Sequence, residues 1–292
     1  MSAEAELGDA ARLTVDALVA VGVLVVVPLG LRLIDGVPRL LVRWWPVPAA
    51  AGVASLALPR GPLAVALAAA YALATAALAG LAAVRALRWL AAVRAGRPHL
   101  PAPVEAALVT GLACPLVAGS ALVAERAGYR LFGFELDILA LTVPHLHYAG
   151  FVAALVAGLV CSATRTSSRL AAPAALLVPV GTLLVLIGYF VSDAAELAGA
   201  AVLTAGMWAV AWLTWTRLRP GTGPAARVLL GVSSAVLAAT MLLALSWALG
   251  EATGLPHPSL DWMVATHGVT NALGFAVCGV LAWRLLLKEE RS

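Results

Sequence analysis

The stretch LTVPHLHYAGF, residues 141–151, sets His145 and His147 directly behind Pro144 inside an apolar run long enough to span a membrane. A second stretch, DWMVATHGVTNALGF at 261–275, sets His267 and Asn271 inside another such run. Polar and ionisable side chains are costly in hydrocarbon, so each of these four marks a functional position by default. The rest of the chain reads as a frame that holds the two segments side by side.

Composition supports the frame. The chain has 292 residues, of which 62% are hydrophobic and only 12% charged, with a mean hydropathy of +0.97. Soluble chains carry about a quarter charged residues. Uncharged runs of about 20 residues recur throughout, and this is the membrane-span signal. The fold class is therefore all-α: one polytopic transmembrane helical bundle over residues 1–292, which includes a short acidic N-terminal tail at 1–11. That tail, SAEAELGD, lacks the basic flank and cleavage pattern of a signal peptide, so the first apolar run reads as a retained helix.

Nine spans are expected, at roughly 13–34, 46–58, 62–84, 103–124, 138–163, 170–191, 194–216, 226–249 and 262–287. The second is short and rich in proline (Pro46, Pro48, Pro59), open to being a re-entrant hairpin with the third or an interfacial segment. With nine crossings, fifteen of the nineteen basic residues fall on one side, among them Arg85, Arg88, Arg165, Arg217 and Arg284. Arg12, Arg60, Arg126 and Arg130 fall on the other, with most of the acids. The positive-inside rule then places the N-terminus outside and the C-terminus inside the cell membrane. It also accounts for the net charge of +4, so no nucleic-acid partner is implied.

This topology puts His145, His147, His267 and Asn271 in the outer half of the membrane at compatible depth, the first two about 12–15 Å along their helix. Asp193 and Glu196 lie at the same outer rim and are candidates for substrate contact, as is Tyr148 beside His147. The two acids equally suit a solvated helix N-terminus. The motif HYAGF at 147–151 echoes NALGF at 271–275, as a parallel repeat of spans 2–5 and 6–9 would produce.

On a continuous helix His145 and His147 point about 200° apart. Pro144 removes a backbone donor and allows local unwinding that would let both face one site. Four readings compete. Interhelical hydrogen bonds could simply hold the bundle together. A zinc, copper or haem site would use the imidazoles, but His-x-His spacing suits strands and loops, and no carboxylate within the spans completes a set. Transport finds support in Pro28, Pro115, Pro144 and Pro179 inside spans, but no charged residue is expected in mid-membrane. Glu105, the nearest, reads as interfacial. Acid–base chemistry on a lipophilic small molecule, without metal or other cofactor, fits histidines near neutral pH.

Cys114, Cys161 and Cys278 have no paired spacing and read as packing residues. Trp44, Trp45, Trp89, Trp262 and Trp283 fall near span ends, as an interfacial belt requires. Trp208, Trp212 and Trp215 recur at helical spacing and read as lipid-facing or packing residues. No nucleotide-binding or hydrolase motif occurs.

The pair HLHYAGF (145–151) and HGVTNALGF (267–275), with VVVPLGLRLID at 25–35, resembles the YndJ-like family of bacterial integral membrane proteins. The resemblance implies that His145, His147, His267 and Asn271 are the characteristic polar residues, and it leaves the reaction open. The leading expectation is an integral membrane enzyme of isomerase or cyclase type, with His147 and His267 exchanging protons and His145 and Asn271 positioning substrate or water. A small-molecule transporter is the alternative, and a metal- or haem-binding membrane protein the next.

Overall fold

A computed structural model of the chain describes residues 7–289. Glu4, Glu6 and Arg291, which entered the charge reading, lie outside the described residues, as does most of the acidic tail. Eight helices are long and apolar enough to cross a membrane: α1 (Asp9–Leu31), α3 (Pro62–Arg94), α4 (Ala102–Arg126), α5 (Leu136–Thr164), α6 (Ala171–Val191), α7 (Asp193–Gly221), α8 (Pro224–Thr253) and α9 (Leu260–Glu289). The remaining expected span is the shorter helix α2 (Pro46–Leu56), preceded by a six-residue helical lead-in, Arg39–Trp44.

α2 still carries the chain from one end of the bundle to the other. Before it, the Asp35 carbonyl accepts from Arg85 Nη1 (2.8 Å) near the end of α3. After it, the Ser55 and Leu58 carbonyls accept from Arg126, and Arg60 Nη2 meets Glu125 Oε1 (2.8 Å). Lead-in and helix together rise about 27 Å at 1.5 Å per residue, close to a hydrocarbon thickness of about 30 Å. The proline-rich segment is therefore neither a re-entrant hairpin nor an interfacial strip. Pro46 and Pro48 sit in the first turn of α2, where a missing N–H costs nothing, and Pro59 lies beyond its end.

α5 is the axis of the bundle. Seventy-eight per cent of its most apolar window is buried, against 28–56% for the other seven spans. It packs against α1, α4, α6, α7 and α9. The starts of α1, α5 and α9 are tied together: Leu7 N–H and Arg12 both bond Asp137, and Gly8 N–H donates to Asp261 Oδ1 at 3.1 Å. These three helices consequently run parallel, and the first and last helices end at the opposite face from where they begin.

Three buried carboxylates close the ends of the bundle, each paired with arginine. Asp137 takes Arg12 (2.8 Å), Glu125 takes Arg60 and Arg126, and Glu105 takes Arg85 Nε (2.7 Å). Glu105 sits in the first turn of α4, at the end of its span, and is buried there. It is enclosed, because Arg85 on the neighbouring helix neutralises it. The tryptophan belt is also incomplete: Trp45 and Trp283 turn inward and are buried, while Trp44 and Trp262 stay exposed. α6 and α7 form a hairpin so close that glycines Gly181, Gly188, Gly199 and Gly206 stand at the contact. Cys114, Cys161 and Cys278 are free thiols.

Candidate functional site

α5 begins as an ordinary α-helix, Leu136–His145, then widens into a π-helical stretch over Leu146–Val152. Pro144 has no N–H to offer its preceding turn, and the helix answers by widening rather than by unwinding. α1 widens at Gly22–Val26, just before Pro28, and α9 does so twice, at Val264–Gly268 and Asn271–Val277. The wide turns of α1, α5 and α9 pack on one another. A Cβ on Gly22 would touch His147 Cβ and the Tyr148 hydroxyl, both at 3.4 Å.

His147 is fully buried with both ring nitrogens engaged. Its Nδ1 lies 2.6 Å from the Val143 carbonyl. A carbonyl can only accept, so Nδ1 carries the proton and Nε2 accepts from the Tyr71 hydroxyl of α3. Tyr71 in turn meets Trp45 edge to face (5.9 Å between centroids, 77°), and Trp45 Nε1 donates to the Val23 carbonyl in the wide turn of α1 (2.8 Å). Tyr148 donates to the Leu18 carbonyl at 2.7 Å. His147 and Tyr148 therefore fasten α5 to α1, α2 and α3. Tyr71→Phe is expected to destabilise the protein by about 1–3 kcal/mol, because it strips a buried acceptor of its donor. The measurement is thermal unfolding of the detergent-solubilised protein, and an unchanged midpoint would contradict the assignment.

His267 and Asn271, one turn apart on α9, close onto Thr240 of α8. His267 Nδ1 donates to the Thr240 carbonyl (3.0 Å), and Nε2 accepts from Asn271 Nδ2 (3.1 Å). Asn271 Oδ1 accepts from Thr240 Oγ1 at 2.7 Å. The amide orientation and the imidazole tautomer follow from one carbonyl, as for His147.

His145 differs from both. It makes no hydrogen bond among the described residues, exposes side-chain surface, and lies within charge–charge range of His267. The structure thus pairs His267 with Asn271, places His145 within charge–charge range of His267, and sets His147 and Tyr148 in the wide turn that follows His145. Asp193 and Glu196 stand elsewhere, at the start of α7. There Ser192 caps the helix (Ala195 N–H to Ser192 Oγ, 3.3 Å), Asp193 is exposed, and Glu196 lies near Tyr189 and Glu251.

Sequence reasoning missed Tyr71, Thr240 and Asp16. Asp16 lies inside α1, half-buried and without a hydrogen bond, facing the charges of Arg126, Glu125 and Arg12. It adds a charged residue inside the first span, toward the end of the bundle that Arg12, Glu125 and Arg126 occupy, and the residue was readable in TVDALVA at 14–20. Among the described residues, no three His, Cys, Asp or Glu side chains gather as a metal site would require.

Long apolar helices around a buried polar centre of histidine, asparagine, tyrosine and threonine define a multi-pass α-helical membrane protein. A family profile described as YndJ-like protein matches residues 17–275, which take in all three intramembrane histidines and Asn271, and the chain belongs to that family. It is 25% identical over 165 residues to the "Uncharacterized membrane protein YndJ" of Bacillus subtilis (strain 168), a match over 56% of this chain and 29% of that protein. The chain thus covers less than a third of that relative's length. No solved structure matches.

Proposed function

We propose that the protein performs acid–base chemistry of the isomerisation or cyclisation type on a lipophilic small molecule, with His145 as the group that exchanges the proton. One observation carries this reading: His145 alone of the three intramembrane histidines keeps free ring nitrogens and accessible surface. A general acid or base must come within hydrogen-bond reach of its substrate, and a ring nitrogen without a protein partner is open to that approach. His267, both of its ring nitrogens taken by Thr240 and Asn271, stands within charge–charge range of His145. His147 fixes the wide turn that aims it. Charge asymmetry favours an orientation in the cell membrane with the Asp137 and Asp261 end outward.

The test incubates detergent-purified protein with a bacterial membrane lipid extract and follows it by chromatography. Wild type is expected to convert one component into a species of equal mass and altered retention. His145→Ala should slow that conversion about a hundredfold or more while remaining folded. An extract left unchanged by wild type, or undiminished conversion by the variant, would sink the reading. A carrier for small molecules is the second reading, and Asp16 favours it, since an unbonded carboxylate within a span is a common feature of coupled transport. Accumulation in proteoliposomes without chemical change, lost in Asp16→Asn, would select it.

A further inference from the structure

We propose that α7 and α8 form a binding site for an anionic phospholipid, with its chain along a tryptophan-lined groove and its phosphate at Arg219. The groove has a volume of about 350 Å³, with Trp208, Trp212 and Trp215 as walls and Ala211, Ser234 and Ala238 as floor. Trp212 is 62% exposed on the outer surface of the bundle.

Ser234 and Trp208 are already satisfied, whereas the indole N–H groups of Trp212 and Trp215 make no hydrogen bond among the described residues. Ser234 Oγ donates to the Leu230 carbonyl of its own helix (2.7 Å), and Trp208 Nε1 donates to the Ala238 carbonyl (3.1 Å). An occupant therefore gains nothing from Ser234 or Trp208 beyond contact, and the polar atoms left to it are two indole N–H groups. It gains by burying hydrocarbon against flat indole faces.

The end of the groove is the reverse. α7 widens over Thr214–Leu218, and the next residue, Arg219, lays its guanidinium over the Trp215 ring at 4.2 Å. Arg219 Nε donates to the Arg227 carbonyl (3.2 Å) and rests against Gly231. Its two amino groups remain for an incoming anion, in the fork geometry that suits phosphate. The turn TWTRLRPGTGPAAR, residues 214–227, has three arginines and no acid, and stays net positive even with Glu289 set against Gly223. A ligand apolar along the groove and anionic at one end is an acidic phospholipid.

The experiment is native mass spectrometry of the full chain, released from detergent containing equimolar phosphatidylglycerol and phosphatidylethanolamine with the same acyl chains. Wild type is expected to retain phosphatidylglycerol about fivefold over phosphatidylethanolamine, the preference one well-placed arginine supplies. Arg219→Ala should remove the preference and keep the adducts. Trp212→Ala should reduce both adducts and keep the preference. Equal retention of the two lipids by wild type overturns the proposal without any variant, and so does a preference that survives in Arg219→Ala.

Discussion

Glu125→Ala is expected to cost about 3–5 kcal/mol of stability, the loss that follows when one partner of a buried ion pair is removed. Glu125 is buried where α2, α3 and α4 meet, between Arg60 Nη2 at 2.8 Å and Arg126 Nη2 at 2.5 Å. Arg60 is partly exposed and can return to water. Arg126 cannot: its side chain is largely enclosed, and its remaining contacts are two long bonds of 3.4 Å to the Ser55 and Leu58 carbonyls. Asp16 is close enough to feel that charge but makes no hydrogen bond to it, so it offsets only part of the loss. Thermal unfolding in a mild detergent measures the effect. Glu125→Gln, which keeps shape and an acceptor oxygen, should fall between the variant and wild type. An alanine variant as stable as wild type would show that Glu125 is not the closing contact described here.

The second large effect is expected at the α6–α7 hairpin. Gly199→Leu should prevent the native hairpin from closing and cost more than about 3 kcal/mol. A Cβ at Gly199 would lie 2.5 Å from the Val185 backbone nitrogen, and one at Gly181 would lie 2.5 Å from the Leu203 backbone. Backbone cannot rotate aside as a side chain can, so the helices must separate along their length. Gly80→Leu on α3 is the matched control, because a Cβ there meets nothing within 4 Å. The control should elute and unfold like wild type, and the Gly199 variant should aggregate or lose its cooperative transition. Similar behaviour of the two would mean that close backbone approach does not hold α6 to α7.

The helices were legible because apolar runs of spanning length have one physical explanation. Their alternating direction was legible from loop arginines, since an odd number of crossings must separate Asp35 from Arg60, and α2 does make that crossing with its lead-in. The roles within the site were not legible. Spacing gives the angle between His145 and His147 but not which one meets a partner. That depends on Tyr71, a tyrosine in an alanine-rich helix 76 residues earlier. Likewise the burial of Glu105 is not readable until Arg85 is known to lie beside it. Trp45 reads as a belt residue because its acceptor, the Val23 carbonyl, becomes free only when α1 widens.

Those widened stretches also act as insertions stored inside a helix. A π-helical turn spends more residues on a turn than an α-helix does. Losing one residue from Leu146–Val152 would restore ordinary winding and leave everything beyond it facing much as it does now, because the wider turn had absorbed the extra residue. The half of α5 from Ala153 to Thr164 would keep its packing on α4, α6 and α7, and Asp137 to His145 would stay in place, while the side chains of the wide turn were re-set. Length variation of a single residue is therefore a means by which relatives of this protein can re-aim the wide turn that carries the second histidine and leave both ends of their central helix untouched.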